Sequence, residues 1–164
     1  MAELRLIVAL AMMTGCRCGS ESKQAPASGP ALHSNLAPPA GWQALPSLAA
    51  AARQTTADIA GSEAWGDPAR GCYATWIALH GGGGALDKIA DQLVKSLGAK
   101  ATVRDVAKPA PNILTASFEH GDYHGKLHAQ LATSGDLTAL ACFWNPREPA
   151  ACEAACVKLL GSMR

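Results

Sequence analysis

Three histidines recur every fourth residue, His120, His124 and His128, with Asp122 between the first two. On a helix that spacing stacks imidazoles on one face and offers a set of metal ligands. Gly121 and Gly125 interrupt the stretch, and an interior glycine costs a helix about 1 kcal/mol. A hairpin is the better reading, and it scatters the imidazoles. His120, Asp122 and His124 are then the weak metal candidates of a turn, and solvated loop histidines are the plainer account. Four cysteines, Cys72, Cys142, Cys152 and Cys156, form the second reactive group. Cys152 and Cys156 lie four apart on one helix face, where a mutual bond would constrain little. Each is expected to reach a strand, one joining Cys72 and the other Cys142, with the pairing open. Zinc is the alternative use, but no C-x-x-C spacing occurs, which also argues against a thioredoxin-type redox pair.

The N-terminus explains why disulfides are expected at all. Residues 1–15 read MAELRLIVALAMMTG, with Arg5 before an uninterrupted apolar run from Leu6 to Met13. Eight residues suit a signal segment and fall short of the ~20 that span a bilayer. Met13-Thr14-Gly15-Cys16 resembles the lipobox of bacterial lipoproteins. The resemblance implies cleavage before Cys16 and a diacylglycerol on its thiol, hence a membrane attachment at the cell envelope. An ordinary secretory signal and a soluble apolar helix are the competing readings. Residues 16–40, including Cys18 and His33, are rich in Ser, Pro, Ala and Gly. They are expected to form a disordered tether ahead of a single domain over 41–164.

His80-Gly81-Gly82-Gly83 resembles the HGGG oxyanion-hole motif of lipases and esterases, in which backbone N–H groups stabilise a tetrahedral oxyanion. The companion G-x-S-x-G elbow does not occur in the sequence. A strand, a glycine loop and a helix N-terminus could also cradle phosphate, yet the P-loop lysine and the dinucleotide fingerprint are missing too. The bland reading is a flexible turn over Gly81–Gly84.

The elements that would position these residues can be read from periodicity. A short helix follows Pro46, with Ser47 as its candidate N-cap. ADIAGSEAW and CYATWIALH read as strands around a turn at 66–71. ALDKIADQLVKSLG is amphipathic, with Leu86, Ile89, Leu93 and Leu97 on one face. Strands follow near 100–106, 112–120, 123–133 and 137–144, then a helix opened by Pro149. In the hairpin, Phe118 set against Leu127 also pairs Ala116 with Ala129, Leu114 with Leu131 and Glu119 with Lys126, leaving the turn at Gly121–His124. The expectation is an α+β domain, an antiparallel sheet of about six strands with two or three helices on one face.

Composition limits the function. The 164 residues carry a net charge of +1, 16% charged and 49% hydrophobic, with alanine supplying much of the apolar share. A near-neutral chain lacks the basic field that nucleic acid requires. Trp42, Trp65, Trp76 and Trp144 are expected to supply core volume rather than a stacking platform. No catalytic constellation is assembled and no cofactor is implied. The reading is a non-catalytic envelope lipoprotein that binds a partner protein or supports the envelope. A small periplasmic enzyme or metal-binding protein, using the His80–Gly84 turn or the His120–His128 loop, is the alternative.

Overall fold

The structure, a computed structural model, describes residues 31–53, 59–81, 86, 101–145 and 149–163. Seven strands among them form one sheet: β1 (Gln43–Ala44), β2 (Ile59–Asp67), β3 (Cys72–Leu79), β4 (Ala101–Ala110), β5 (Ile113–His120), β6 (Tyr123–Leu131) and β7 (Leu137–Trp144). Every pairing is antiparallel, and the order across the sheet is β1-β2-β3-β7-β6-β5-β4. Two helices are described, α1 (Pro46–Arg53) and α2 (Pro149–Leu160). The domain is therefore mainly β. The amphipathic segment expected as a third helix lies outside the described residues, apart from Leu86.

The helices do not share a face as expected. Along β3 the side chains alternate, and both sides are buried. Tyr73 points to a cluster with Leu48 of α1, Ala64, Phe118 and Phe143. Cys72, Ala74 and Trp76 point the other way, to Cys152, Cys156 and Leu159 of α2. The central strands thus carry apolar residues at successive positions and need cover on both sides. On the α1 side, Leu86 closes a further cluster over Leu114, Ala116, Leu127, Ala129 and Leu137. Tyr73 and Phe143 stack there at 5.4 Å, with Tyr123 edge-on to Phe143 at 6.1 Å. Burial pushes the Tyr73 hydroxyl above its usual pKa, helped by the neighbouring Tyr123 and Asp67.

Two local expectations need correction. α1 begins at Pro46 itself, with the Leu45 carbonyl accepting from the Leu48 and Ala49 N–H groups, so Ser47 lies inside the helix. In the β5–β6 hairpin Phe118 pairs with Gly125, Ala116 with Leu127, Leu114 with Ala129 and Glu119 with His124. The expected register is thus two residues out. A two-residue turn at Gly121–Asp122, with Gly121 at φ +57°, pairs His120 directly with Tyr123. A shift of two keeps every side chain on its own face, which is why the apolar pattern could not distinguish the registers. Gly125 shows the reason for the choice: a Cβ there would run into the Phe118 ring. The ring lies across the strand where other residues would have a side chain.

The folded part also starts before Gly41. From 31 to 36 the residues alternate between exposed and half-buried, and Leu32, Ser34 and Leu36 face inward. Leu32 and Leu36 pack on the cluster containing Trp76, and the Leu32 N–H donates to the Ala60 carbonyl at 3.0 Å. The composition of this stretch suggested a tether, but an apolar surface at Trp76 gives its two leucines somewhere to go.

Candidate functional site

The four domain cysteines pair as Cys72–Cys152 and Cys142–Cys156. Each helix cysteine was expected to reach a strand with the pairing open, and each does. α2 is thereby fixed to β3 and to β7 along the middle of the sheet. Two disulfides belong to an oxidising compartment. Cys16, Cys18 and the whole leader lie outside the described residues. No described helix is long and apolar enough to cross a membrane.

The candidate catalytic and metal residues do not assemble. His80 follows β3 at its Leu79–Leu137 end, whereas His120 and His124 flank the turn at the Cys72–Trp144 end. Seven residues of strand, roughly 23 Å, separate the two ends. His120 lies on the α1 side of the sheet with Phe118, and His124 on the α2 side opposite Glu119. Side chains on opposite faces of the β5–β6 hairpin cannot meet at one ligand. Asp122 is exposed in the turn. Among the described residues, no three His, Cys, Asp or Glu side chains are grouped to hold a metal ion.

His80 has a partner that sequence reasoning missed. Its Nδ1 lies 3.2 Å from Asp136 Oδ1, which also accepts the Gly81 N–H at 3.4 Å. Ser134 Oγ donates to Asp136 Oδ2 at 2.8 Å. The Ser134 hydrogen bond, then those from His80 and Gly81, hold the Asp136 carboxyl below the usual carboxylate range. A His–Asp contact orients an imidazole in acid–base sites, but the serine here bonds the aspartate rather than the histidine. What the cluster does is tie the end of β3 to the β6–β7 turn. Fifty-six positions separate its two main members, so local pattern carried no sign of it. Gly82–Gly84, needed for an oxyanion hole or phosphate cradle, lie outside the described residues.

The surface best built for contact lies beside α2, over β4, β5 and β6. A groove of about 320 Å³ is lined by Asp105, Thr115, Ser117, Lys126 and His128 from the sheet, and by Val157 and Leu160 from α2. Lys126 Nζ donates to Glu153 Oε1 at 2.9 Å across the groove wall. Further along, Glu119 is held by Arg104 at 3.3 Å and by His124 at 3.5 Å. His128 is half-buried and pairs with Thr115, where the expected register would pair it with Ser117. Its Nε2 is buried with no hydrogen-bond partner, and burial lowers its pKa. Val157 is 50% exposed, and Val106, which follows Asp105 on the edge strand, is 49% exposed. Asp105 takes a positive φ of 52° where the β4–β5 register shifts, so the edge bends at this point. Sequence reasoning singled out His128 only as one of three evenly spaced histidines and missed the groove, because a helix and three strands meet only in three dimensions.

Comparison with protein-family models finds no match, and neither does comparison with curated proteins.

Proposed function

We propose that the chain is an exported lipoprotein of the bacterial cell envelope, anchored through a lipid on Cys16. Its domain is a non-catalytic module that docks an envelope protein along the open flank of α2. The observation that carries the docking reading is the groove over β4–β6, where a cross-linked helix presents Val157 beside a polar strand surface. Apolar anchors set among hydrogen-bonding groups are the composition of protein contact surfaces. The two disulfides and the resemblance of Met13–Cys16 to a lipobox support export and anchoring.

Two measurements test this. Labelled palmitate should enter the full chain and be lost in Cys16→Ala; equal labelling, or none, overturns the anchor. A photoactivatable side chain at Val157 or Thr115 should cross-link a protein in intact envelopes, and one at Ala50 on α1 should not. Equal capture at all three positions, or none, overturns the docking surface.

The contact of His80 with Asp136 favours a periplasmic enzyme as the second reading. The separation of His80 from His120 and His124 weighs against it. A substrate whose turnover is abolished by both His80→Ala and Asp136→Asn, with the fold intact, would reverse the preference.

A further inference from the structure

The segment from 31 to 36 is neither part of the sheet nor a helix, yet it is held at several points. Leu32, Ser34 and Leu36 face inward at every second residue. The Leu32 N–H reaches the Ala60 carbonyl on β2. Glu63, on the same strand, receives Ser34 with both oxygens: the backbone N–H at 2.9 Å and the hydroxyl at 2.6 Å. His33 Nδ1 lies 3.5 Å from the same carboxylate. At Gly61 a Cβ would collide with the Leu32 carbonyl and come within 3.0 Å of the Trp76 ring, so β2 leaves room for the crossing. A pocket of about 370 Å³ lies beneath, between this strap, Trp76, Thr138 and Met163.

The contacts are those of a reversible closure. His33 is 81% and Glu63 29% exposed in their side chains, and the strap's leucines are only half-buried. Release would leave Glu63 solvated rather than stranded, and no covalent link holds the strap in place among the described residues. Beyond Leu36 the chain continues through Ala37-Pro38-Pro39-Ala40-Gly41, with Gly41 at φ +83°, to the two-residue strand β1.

We propose that residues 31–36 form a releasable latch, keyed by Glu63, that sets how far the domain can stand from its membrane anchor. The consequence for reach rests on lipidation at Cys16. Fifteen peptide units separate Cys16 from Ala31, an upper reach of roughly 50 Å at full extension. With the strap released, the first fixed point becomes Trp42, which packs on the same cluster, and the upper reach rises to roughly 90 Å. Release also uncovers Trp76 and the pocket beside it.

The test uses the mature lipidated chain in phosphatidylglycerol–phosphatidylethanolamine vesicles and follows amide exchange residue by residue. The Leu32 amide is the informative one, because it bonds to Ala60 and not to Glu63. In Glu63→Ala, both Leu32 and Ser34 should exchange at least tenfold faster than in the wild type, while Trp76 and Leu140 hold their rates. A wild-type rate at Leu32 in that variant overturns the latch, as does a Leu32 amide already unprotected in the wild type. Gly61→Ala, which evicts the strap sterically, should free Ser34 with Glu63 intact; continued protection counts against the proposal. Energy transfer from a label at Val157 to an acceptor lipid should fall on release, and an unchanged efficiency overturns the reach. A chain that does not float with the vesicles overturns the anchor and the reach with it, and the exchange rates still judge the latch.

Discussion

The two flanks of α2 receive opposite treatment. On the β2–β3 side the sheet presents Trp76, Ala74 and Trp65, and Leu32 and Leu36 of the chain's own strap pack on this cluster. On the β4–β6 side the same sheet face carries Lys126, His128, Thr115 and Ser117, and among the described residues it stays open. An apolar surface is unfavourable in water at about 25 cal/mol per Å², so the first flank demands a cover and the second does not. If the open flank is the proposed docking surface, the difference separates stability from recognition. One side of the helix holds the fold together, while the other is free to vary without unfolding it. α2 is the divider, and two disulfides keep it in place.

Removing those bonds gives the largest expected effect and tests whether α2 is fixed equally on both sides. Cys72–Cys152 closes a separation of 80 residues and Cys142–Cys156 one of 14. Chain entropy then assigns about 4.5 kcal/mol to the first and about 3 kcal/mol to the second, each taken singly. Urea unfolding of the two paired Cys→Ser variants measures this. Equal losses, or a larger loss from Cys142–Cys156, would contradict the ordering.

Trp76→Ala strikes the covered flank. Trp76 is 4% exposed, and truncating a buried tryptophan costs about 3–5 kcal/mol. A loss below about 1 kcal/mol would mean that this flank is no more core than the open one, and the contrast would collapse.

The parts of this arrangement that were legible in the sequence are those that depend on local period. CYATWIAL reads as a strand from its β-branched and aromatic content, LTALACFW is read as the last strand, and they appear as β3 and β7. Cys152 and Cys156 at i, i+4 favoured two strand partners, and the sheet supplies Cys72 and Cys142. What depended on distant contacts stayed hidden. Phe118 covering Gly125 selects one of two registers with the same apolar pattern. Placing α1 opposite α2 required knowing that β3 is buried on both sides, which alternation with small alanines does not reveal. Leu32 and Leu36 read as isolated apolar residues until Trp76 is set beneath them, and Asp136 is invisible to any window around His80.

Acid should act on His128, the half-buried histidine of the open flank. Burial lowers the His128 pKa from 6.5 in the folded chain, so the unfolded chain takes up the proton first as pH falls. The contribution of neutral His128 is fully present above pH 6.5 and is lost progressively below it. Stability should therefore decline between pH 6.5 and the lower folded value. His128→Gln should flatten that part of the profile when unfolding is followed from pH 7 to 5. Asp136 acts in a lower window: its depressed pKa contributes stability above 3.8 that disappears as pH falls further. A decline confined to the region below pH 4 would assign the acid sensitivity to Asp136 and remove His128 from the account.

The smallest effect on stability should accompany the largest on binding. Val157 is half-exposed, so Val157→Asp places a carboxylate in water and should change unfolding free energy by no more than about 0.5 kcal/mol. The Lys126–Glu153 pair, with side chains 35% and 47% exposed, should likewise contribute about 0–1 kcal/mol in a double-mutant cycle. If the open flank docks a protein, the same Val157→Asp change puts a charge at the centre of the contact and leaves it desolvated when the partner closes over it. Cross-linking from a photoactivatable group at Thr115 should then fall sharply in a chain that unfolds at the wild-type urea concentration. A Val157→Asp chain that keeps both its stability and its cross-link would show that the open flank is open merely because nothing there needs covering.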